Sequence, residues 1–346
     1  MSAALLVQSL REPASAEGLD AAGWNSLIAA ARAEQLIGSL AHRLNGLALP
    51  APAEQAMADA RAHARFIRRQ ALWEADRARA ALTETGVPII LLKGTAYAAA
   101  GLKAGIGRSI GDLDIMVPCA RLDAVEAGLI AAGWEWVKPD PYDDQYYRRW
   151  MHELPPLIHK ERDRMIDVHH TILPLTARQT PDAEVMIADS VALGDGLFVL
   201  SPEDMVLHCV AHLFADGDLA GGLRNLWDFH CLLEDFGSDA VFLSKLEQRA
   251  VHHQLASHLQ RAIRLSDHLY GMGATLTLGD RLYVRRLLAR NGWGQETCKL
   301  TRFAFYVRSH WLRMPPAMLA RHLWAKWRKD RASRSKGSLS VDPAPT

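Results

Sequence analysis

Two short apolar runs, the second of them carrying acidic residues, constrain the fold of this chain more than any other feature. Residues 87–92 form one run, and after a glycine-rich interval residues 113–117 form another that follows Asp112 and contains Asp114. Both runs have the length and composition of buried strands. Because alternate residues of a strand share one face, Asp112 and Asp114 are predicted to point the same way, while their neighbours point into the core.

Two carboxylates directed at one spot repel each other unless a cation lies between them or both lie at a solvated edge. Mg²⁺ and Mn²⁺ prefer oxygen ligands, and Mg²⁺ is commonly bound by one or two carboxylates together with substrate phosphates. Gly94 and Thr95 follow the first run, where a helix start can offer free backbone N–H groups to a phosphate. Lys93 and Arg108 add positive charge, and the Arg108 guanidinium could clamp a phosphate in bidentate fashion. We therefore expect a site for Mg²⁺ or Mn²⁺ and a triphosphate.

A third carboxylate lies inside another apolar run. Asp167, in the segment "RMIDVHH", is predicted to lie on the second strand of a hairpin that turns at residues 160–164 and whose first strand starts near Trp150. Antiparallel pairing is expected to bring Asp167 beside Asp112 and Asp114. Three acids on adjacent strands can serve a two-metal phosphoryl transfer. A solvated strand edge is the alternative explanation for the pair.

The order of these residues resembles that of the nucleotidyltransferase superfamily related to DNA polymerase β. The segments "LLKGTAYAAAG", "GRSIGDLDIMV", "IDVHHTI", "SPEDMVLHCVAHLF" and "LRNLWDFHCLL" are similar to those of a bacterial family of uncharacterised nucleotidyltransferases, over about residues 24–234. The resemblance implies transfer of a nucleoside monophosphate from an NTP to an acceptor hydroxyl, with release of pyrophosphate. It assigns Gly94 and Thr95 to the turn that faces the triphosphate, and Asp112, Asp114 and Asp167 to metal binding and catalysis. Thr95 departs from the more common Ser or Gly, and the interval from Gly94 to Asp112 is longer than in many relatives.

Helical periodicity brackets this segment on both sides. We expect an α+β fold in which a nucleotidyltransferase-fold mixed sheet core is flanked by N-terminal and C-terminal helical regions. The predicted boundaries are residues 1–84 for the N-terminal helical region, 85–200 for the core, 201–328 for the C-terminal helical region and 329–346 for a basic tail of disordered composition.

The charge balance excludes a global electrostatic attraction to nucleic acid or membrane, because 40 basic and 39 acidic residues give a formal net charge of +1. Four widely spaced cysteines, the lack of a signal-peptide pattern and the lack of a transmembrane segment favour a cytoplasmic protein. The basic segment at residues 321–336, with Trp324 and Trp327, could contact nucleic acid or a membrane surface, but a solvated basic tail is favoured. The acceptor, the NTP base and the oligomeric state cannot be read from the sequence.

Four histidines have no assigned role. His208 and His212 have the spacing of a helical zinc pair, but no suitable third ligand follows, and core packing is favoured. One of His169 and His170 should share the face of Asp167, where a structural role is favoured. Two other functions stay open: a catalytically inactive nucleotide-binding or scaffold protein of this fold, and a toxin-type or resistance-type enzyme that modifies tRNA, protein or a small molecule.

Overall fold

The computed structural model describes residues 2–138 and 141–313. Within these residues fourteen α-helices surround one mixed sheet of seven strands, which confirms the predicted α+β fold. The end of the predicted C-terminal helical region, with Trp324 and Trp327, and the whole basic tail lie outside the described residues. No described helix is long and apolar enough to cross a membrane.

The helices differ widely in length, and the longest runs through 32 residues. They are α1 (Ser2–Arg11), α2 (Ala21–Ala33), α3 (Ile37–Arg43), α4 (Ala51–Leu82), α5 (Lys93–Ala99), α6 (Leu122–Ala131), α7 (Pro141–Trp150), α8 (Ala183–Ala188), α9 (Pro202–Ala211), α10 (Gly222–Phe236), α11 (Ala240–His252), α12 (Ala256–Tyr270), α13 (Leu278–Leu287) and α14 (Lys299–Arg313). One continuous buried apolar cluster includes side chains from Ala3 to Phe305. The division into regions at residues 84 and 200 stays a prediction.

The strands are short, and all seven belong to one sheet. They are β1 (Ile89–Leu91), β2 (Leu113–Met116), β3 (Trp134–Trp136), β4 (Leu157–His159), β5 (Met165–His169), β6 (Val191–Gly194) and β7 (Leu197–Val199). Their order across the sheet is β3-β4-β5-β2-β1-β7-β6. The hairpin of β6 and β7 was not predicted, and β7 pairs in parallel with β1.

Strands β2 and β5 lie side by side and run in parallel, with Asp114 opposite Asp167. The prediction that antiparallel pairing joins these residues is therefore wrong. The chain between β2 and β5 passes through α6, β3, α7 and β4. Because β3–β4 and β4–β5 are both antiparallel pairs, β5 runs in the same direction as β3, which follows β2 through the crossover helix α6. The contact between the two aspartates is nevertheless direct, because residues in register on neighbouring strands point to the same face.

The predicted hairpin exists, but its first strand begins later than expected. Strands β4 and β5 pair in antiparallel fashion, and the His159 N–H donates to the Arg164 carbonyl at 2.9 Å across the turn. The strand was expected to start near Trp150, but helix α7 ends at that residue and β4 begins only at Leu157. This helix has Pro141 at its first position, which favours a helix start, and an i, i+4 ion pair between Asp144 and Arg148.

The glycine-rich loop between α5 and β2 packs directly against the N-terminal helices. A Cβ atom added to Gly38, in α3, would lie 2.3 Å from the carbonyl oxygen of Gly107. Gly107 also has φ +71, a conformation that L side chains rarely adopt. This backbone contact holds the loop in place just before Asp112.

Candidate active site

Three aspartates converge at the centre of the sheet. Asp112 immediately precedes β2, Asp114 lies within β2, and Asp167 lies opposite Asp114 on β5. One carboxylate oxygen from each lies within 4.8 Å of the others. The alternation of the two strands therefore brings together the three acids that the sequence had singled out.

Asp114 is buried and has two hydrogen-bond donors. The Lys93 Nζ atom donates to Asp114 Oδ1 at 2.5 Å, and the His169 Nε2 atom donates to the same oxygen at 3.1 Å. Burial opposes ionisation of this carboxyl, but the Lys93 ammonium and the His169 hydrogen bond hold its pKa well below the ordinary value. Asp114 is therefore an anion over the whole physiological pH range.

Asp167 has the opposite environment. Its Oδ1 atom is buried and accepts no hydrogen bond from the residues that the structure describes. Burial, together with the nearby charges of Asp114 and Asp112, raises the pKa of Asp167 to about 7. A buried carboxylate oxygen without a donor is costly, and a cation bound by all three aspartates would remove that cost.

Lys93 begins helix α5 in the left-handed region, with φ +49. Non-glycine residues seldom adopt this conformation, which costs free energy and is common at functional sites. Its ammonium faces all three acids: burial works against the charge, but Asp114, Asp112 and Asp167 together raise the pKa of Lys93. The contact seen in the structure is with a carboxylate, and the predicted role of Lys93 in phosphate binding stays a prediction.

Gly94 and Thr95 occupy the first turn of α5, which begins at Lys93, two residues before the helix start expected at Thr95. A Cβ atom at Gly94 would lie 3.0 Å from Ile110 Cγ1, so the absence of a side chain lets the loop that leads to Asp112 pack closely against the helix. Thr95 is buried, with 1% exposure. Their predicted contact with a triphosphate is not tested by the structure.

A family model described as "uncharacterised nucleotidyltransferase" matches residues 20–271, which is most of the chain. The protein belongs to this nucleotidyltransferase family. The predicted resemblance is thereby confirmed at the level of the family, and transferase activity is supported at the same coarse level. A comparison with curated proteins gave no match. The matched residues include the whole sheet and the three aspartates.

Arg108 is buried and forms hydrogen bonds within the protein. Its Nε atom donates to Asp228 Oδ2 at 2.8 Å, and its Nη1 atom donates to the Ser109 carbonyl at 2.6 Å. Asp228 lies on α10, and its pairing with Arg108 was not predicted from the sequence. These two bonds occupy two of the five N–H groups of the guanidinium, and the predicted clamp of Arg108 on a phosphate stays a prediction.

The histidines around Asp114 make contacts that were not predicted from the sequence. His169 is nearly fully buried and shares the face of Asp167, as the two-residue spacing predicts, but it contacts Asp114 directly. Glu153 lies beside the His169 imidazole, and His152 lies beside Glu153. Neither residue was predicted to belong to the site. His208 and His212 belong to neither of the two groups of potential metal ligands within the described residues.

Proposed function

We propose that this protein is a metal-dependent nucleotidyltransferase that moves a nucleoside monophosphate from an NTP to an acceptor hydroxyl and releases pyrophosphate. The observation that carries the proposal is the convergence of three carboxylates on adjacent strands, one of them with a buried oxygen that has no donor among the described residues. Family membership supports the same reaction class.

The aspartates fit Mg²⁺ or Mn²⁺, because hard divalent cations prefer carboxylate oxygens. In the proposal Asp112, Asp114 and Asp167 hold the ions, and Asp167 also orients the acceptor hydroxyl. Bound cations would supply charge neutralisation at the phosphates and at the attacking and leaving oxygens. Lys93 holds Asp114 in place and leaves the remaining negative charge of the three acids for a cation.

The nucleotide is proposed to bind on the α5 side of the aspartates. Gly94, Thr95 and Lys93 lie there in one helical turn, and Lys93 reaches the carboxylates themselves. Arg108 contributes positive charge from the adjoining loop while it stays paired with Asp228. Phosphoryl transfer depends mainly on positioning and electrostatic stabilisation, which is what this arrangement offers.

Three wider assignments belong to the proposal. The order of the site residues supports placement in the DNA polymerase β-like superfamily and a bacterial origin. Four free cysteines and the use of NTPs support a cytoplasmic location. The acceptor is a separate molecule that carries a hydroxyl group, and nucleic acid is not the favoured acceptor.

The test is transfer of label from α-labelled ATP, GTP, CTP and UTP, one at a time, to components of an extract of the source cells, with Mg²⁺ or Mn²⁺. The Asp112→Asn and Asp114→Asn variants are assayed beside wild type. Asp59→Asn serves as the matched control, because Asp59 lies on the exposed surface of α4, where its carboxylate accepts a hydrogen bond from Gln55.

We expect wild type and the control to label an acceptor and both site variants to lose at least 99% of the activity, about 3 kcal/mol of transition-state stabilisation. Labelled RNA would identify the enzyme as one that modifies tRNA. Full activity in Asp112→Asn would contradict the proposal. So would NTP binding that is independent of metal and accompanied by no transfer, which would favour an inactive nucleotide-binding protein.

A further inference from the structure

A second group of potential metal ligands lies beyond the three aspartates, at the end of β5. Glu153 forms an antiparallel bridge with His169, the Leu154 N–H donates to the Val168 carbonyl, and the His170 N–H donates to the His152 carbonyl, the last two at 2.9 Å. Residues 152–154 therefore run alongside β5. This pairing brings the side chains of His152, Glu153 and His169 together.

Both imidazoles point at one carboxylate oxygen. The Nε2 atom of His169 lies 3.5 Å from Glu153 Oε2, and the Nε2 atom of His152 lies 3.8 Å from the same oxygen. The two ring centroids are 5.1 Å apart. These nitrogen–oxygen separations exceed those of good hydrogen bonds, which end at about 3.2 Å.

The same separations suit three ligands of one ion. Zinc–ligand bonds of about 2.0–2.2 Å in tetrahedral geometry place neighbouring ligand atoms about 3.4 Å apart. One atom from each of the three residues lies within 4.8 Å of the others, so a small adjustment of the side chains would bring all three onto one ion. Two imidazoles and one carboxylate are a common ligand set for zinc and related transition metals.

We propose that His152, Glu153 and His169 form a second cation site, specific for a transition metal such as Zn²⁺ and distinct from the site of the three aspartates. The different donors separate the two sites chemically, because imidazole favours Zn²⁺ and its neighbours whereas an all-oxygen set favours Mg²⁺ and Mn²⁺. Both histidines are buried, which excludes competing water. The proposal does not depend on nucleotidyl transfer.

Access to this site is open from one side. Glu153 lines a cavity of about 290 Å³, together with His170 and Arg148. A cation that enters from this cavity would keep one position free for water or another ligand, as zinc sites with three protein ligands do.

Occupancy of this site would affect the aspartates through His169. The His169 Nε2 atom now donates to Asp114, and a metal bound at Nε2 would require the neutral imidazole to carry its proton on Nδ1 instead. Of the two hydrogen-bond donors that the structure shows at Asp114, only Lys93 would then remain. The two sites are therefore coupled through one imidazole.

The test is titration of the full chain, stripped with a chelator, with Co²⁺, whose visible absorption reports tetrahedral coordination. The variants are His152→Gln and Glu153→Gln. His159→Gln is the matched control, since His159 is an equally buried histidine on β4 outside this group. Asp167→Asn is the second control, because it removes a carboxylate from the aspartate site alone. Circular dichroism checks that each variant is folded.

We expect wild type and both controls to bind one Co²⁺ with a tetrahedral spectrum that Zn²⁺ abolishes, and the two site variants to bind at least tenfold more weakly. A folded wild type without this spectrum would overturn the proposal, as would unchanged binding in both site variants. A Co²⁺ site that responds to Asp167→Asn instead would assign the metal to the aspartates. Retained Co²⁺ binding in a protein that transfers no nucleotide would refute the proposed function but not the proposed metal site.

Discussion

Replacement of Asp167 by asparagine should make the metal-free protein more stable. Asparagine has nearly the shape of aspartic acid but cannot ionise, so the variant removes a charge that burial and two neighbouring carboxylates disfavour. Most substitutions of buried polar residues destabilise a protein. A gain in stability would therefore be direct evidence that the three aspartates form a site built for a cation.

The size of the effect follows from the pKa shift. The fold raises the pKa of Asp167 from 3.8 to about 7, so the unfolded chain releases its proton at a lower pH than the folded chain. Stability is thus lost as pH rises from about 4, and the loss is complete once pH passes about 7. At 1.36 kcal/mol per pKa unit, wild type loses about 1.6 kcal/mol at pH 5 and about 4 kcal/mol above pH 7.

The assay is urea unfolding of chelator-treated wild type and Asp167→Asn between pH 5 and pH 8. The free energy of unfolding of the variant should exceed that of wild type, and the difference should grow with pH up to about pH 7. Mn²⁺ should reverse the order, because it binds the folded wild type through Asp167 and stabilises it by mass action.

Two results would refute this reasoning. The first is a variant that is less stable than wild type at pH 8 without metal, since that would show Asp167 to be satisfied in the folded protein. The second is a difference that stays constant from pH 5 to pH 8, since ionisation of Asp167 would then not be its cause.

Two further predictions concern packing around the site. Arg108→Met should lower the free energy of unfolding, measured with urea, by about 3–5 kcal/mol, because it leaves the buried Asp228 charge without its cation. The double variant Arg108→Met/Asp228→Leu should recover most of this loss. A double variant no more stable than the single one would contradict this account. Gly38→Ala should lower the free energy of unfolding by about 1–3 kcal/mol, because the added Cβ atom would clash with the Gly107 carbonyl. Gly111 has open space around it, so Gly111→Ala should change the free energy of unfolding by less than about 0.5 kcal/mol. Equal losses in the two glycine variants would rule out the clash as the cause.

Local sequence patterns were sufficient to predict the three aspartates and their common face. Apolar runs with polar residues at every second position predict strands, and the turn at residues 160–164 was found from its polar residues. The direction of pairing could not be predicted in the same way. It depends on the path of the chain between β2 and β5, which includes helix α7, an element that was not predicted.

The partners of the site residues were harder to predict because they lie far apart in the sequence. Asp228 contacts Arg108 across 120 positions, and nothing in the local pattern of α10 distinguishes it from other residues of that helix. Glu153 and His152 are close to β5 in space only because residues 152–154 extend the line of β4. The period of a strand did predict that His169 shares a face with Asp167, but not that it contacts Asp114.

The most direct test of the central claim is a Mn²⁺ binding isotherm, followed by electron paramagnetic resonance in the presence of a non-hydrolysable NTP analogue. Wild type is compared with Asp112→Asn, Asp114→Asn and Asp167→Asn, with Asp59→Asn as the control. The account predicts tight binding in wild type and the control and at least tenfold weaker binding in each of the three site variants. Binding of equal strength in all five proteins would show that the aspartates do not hold the metal.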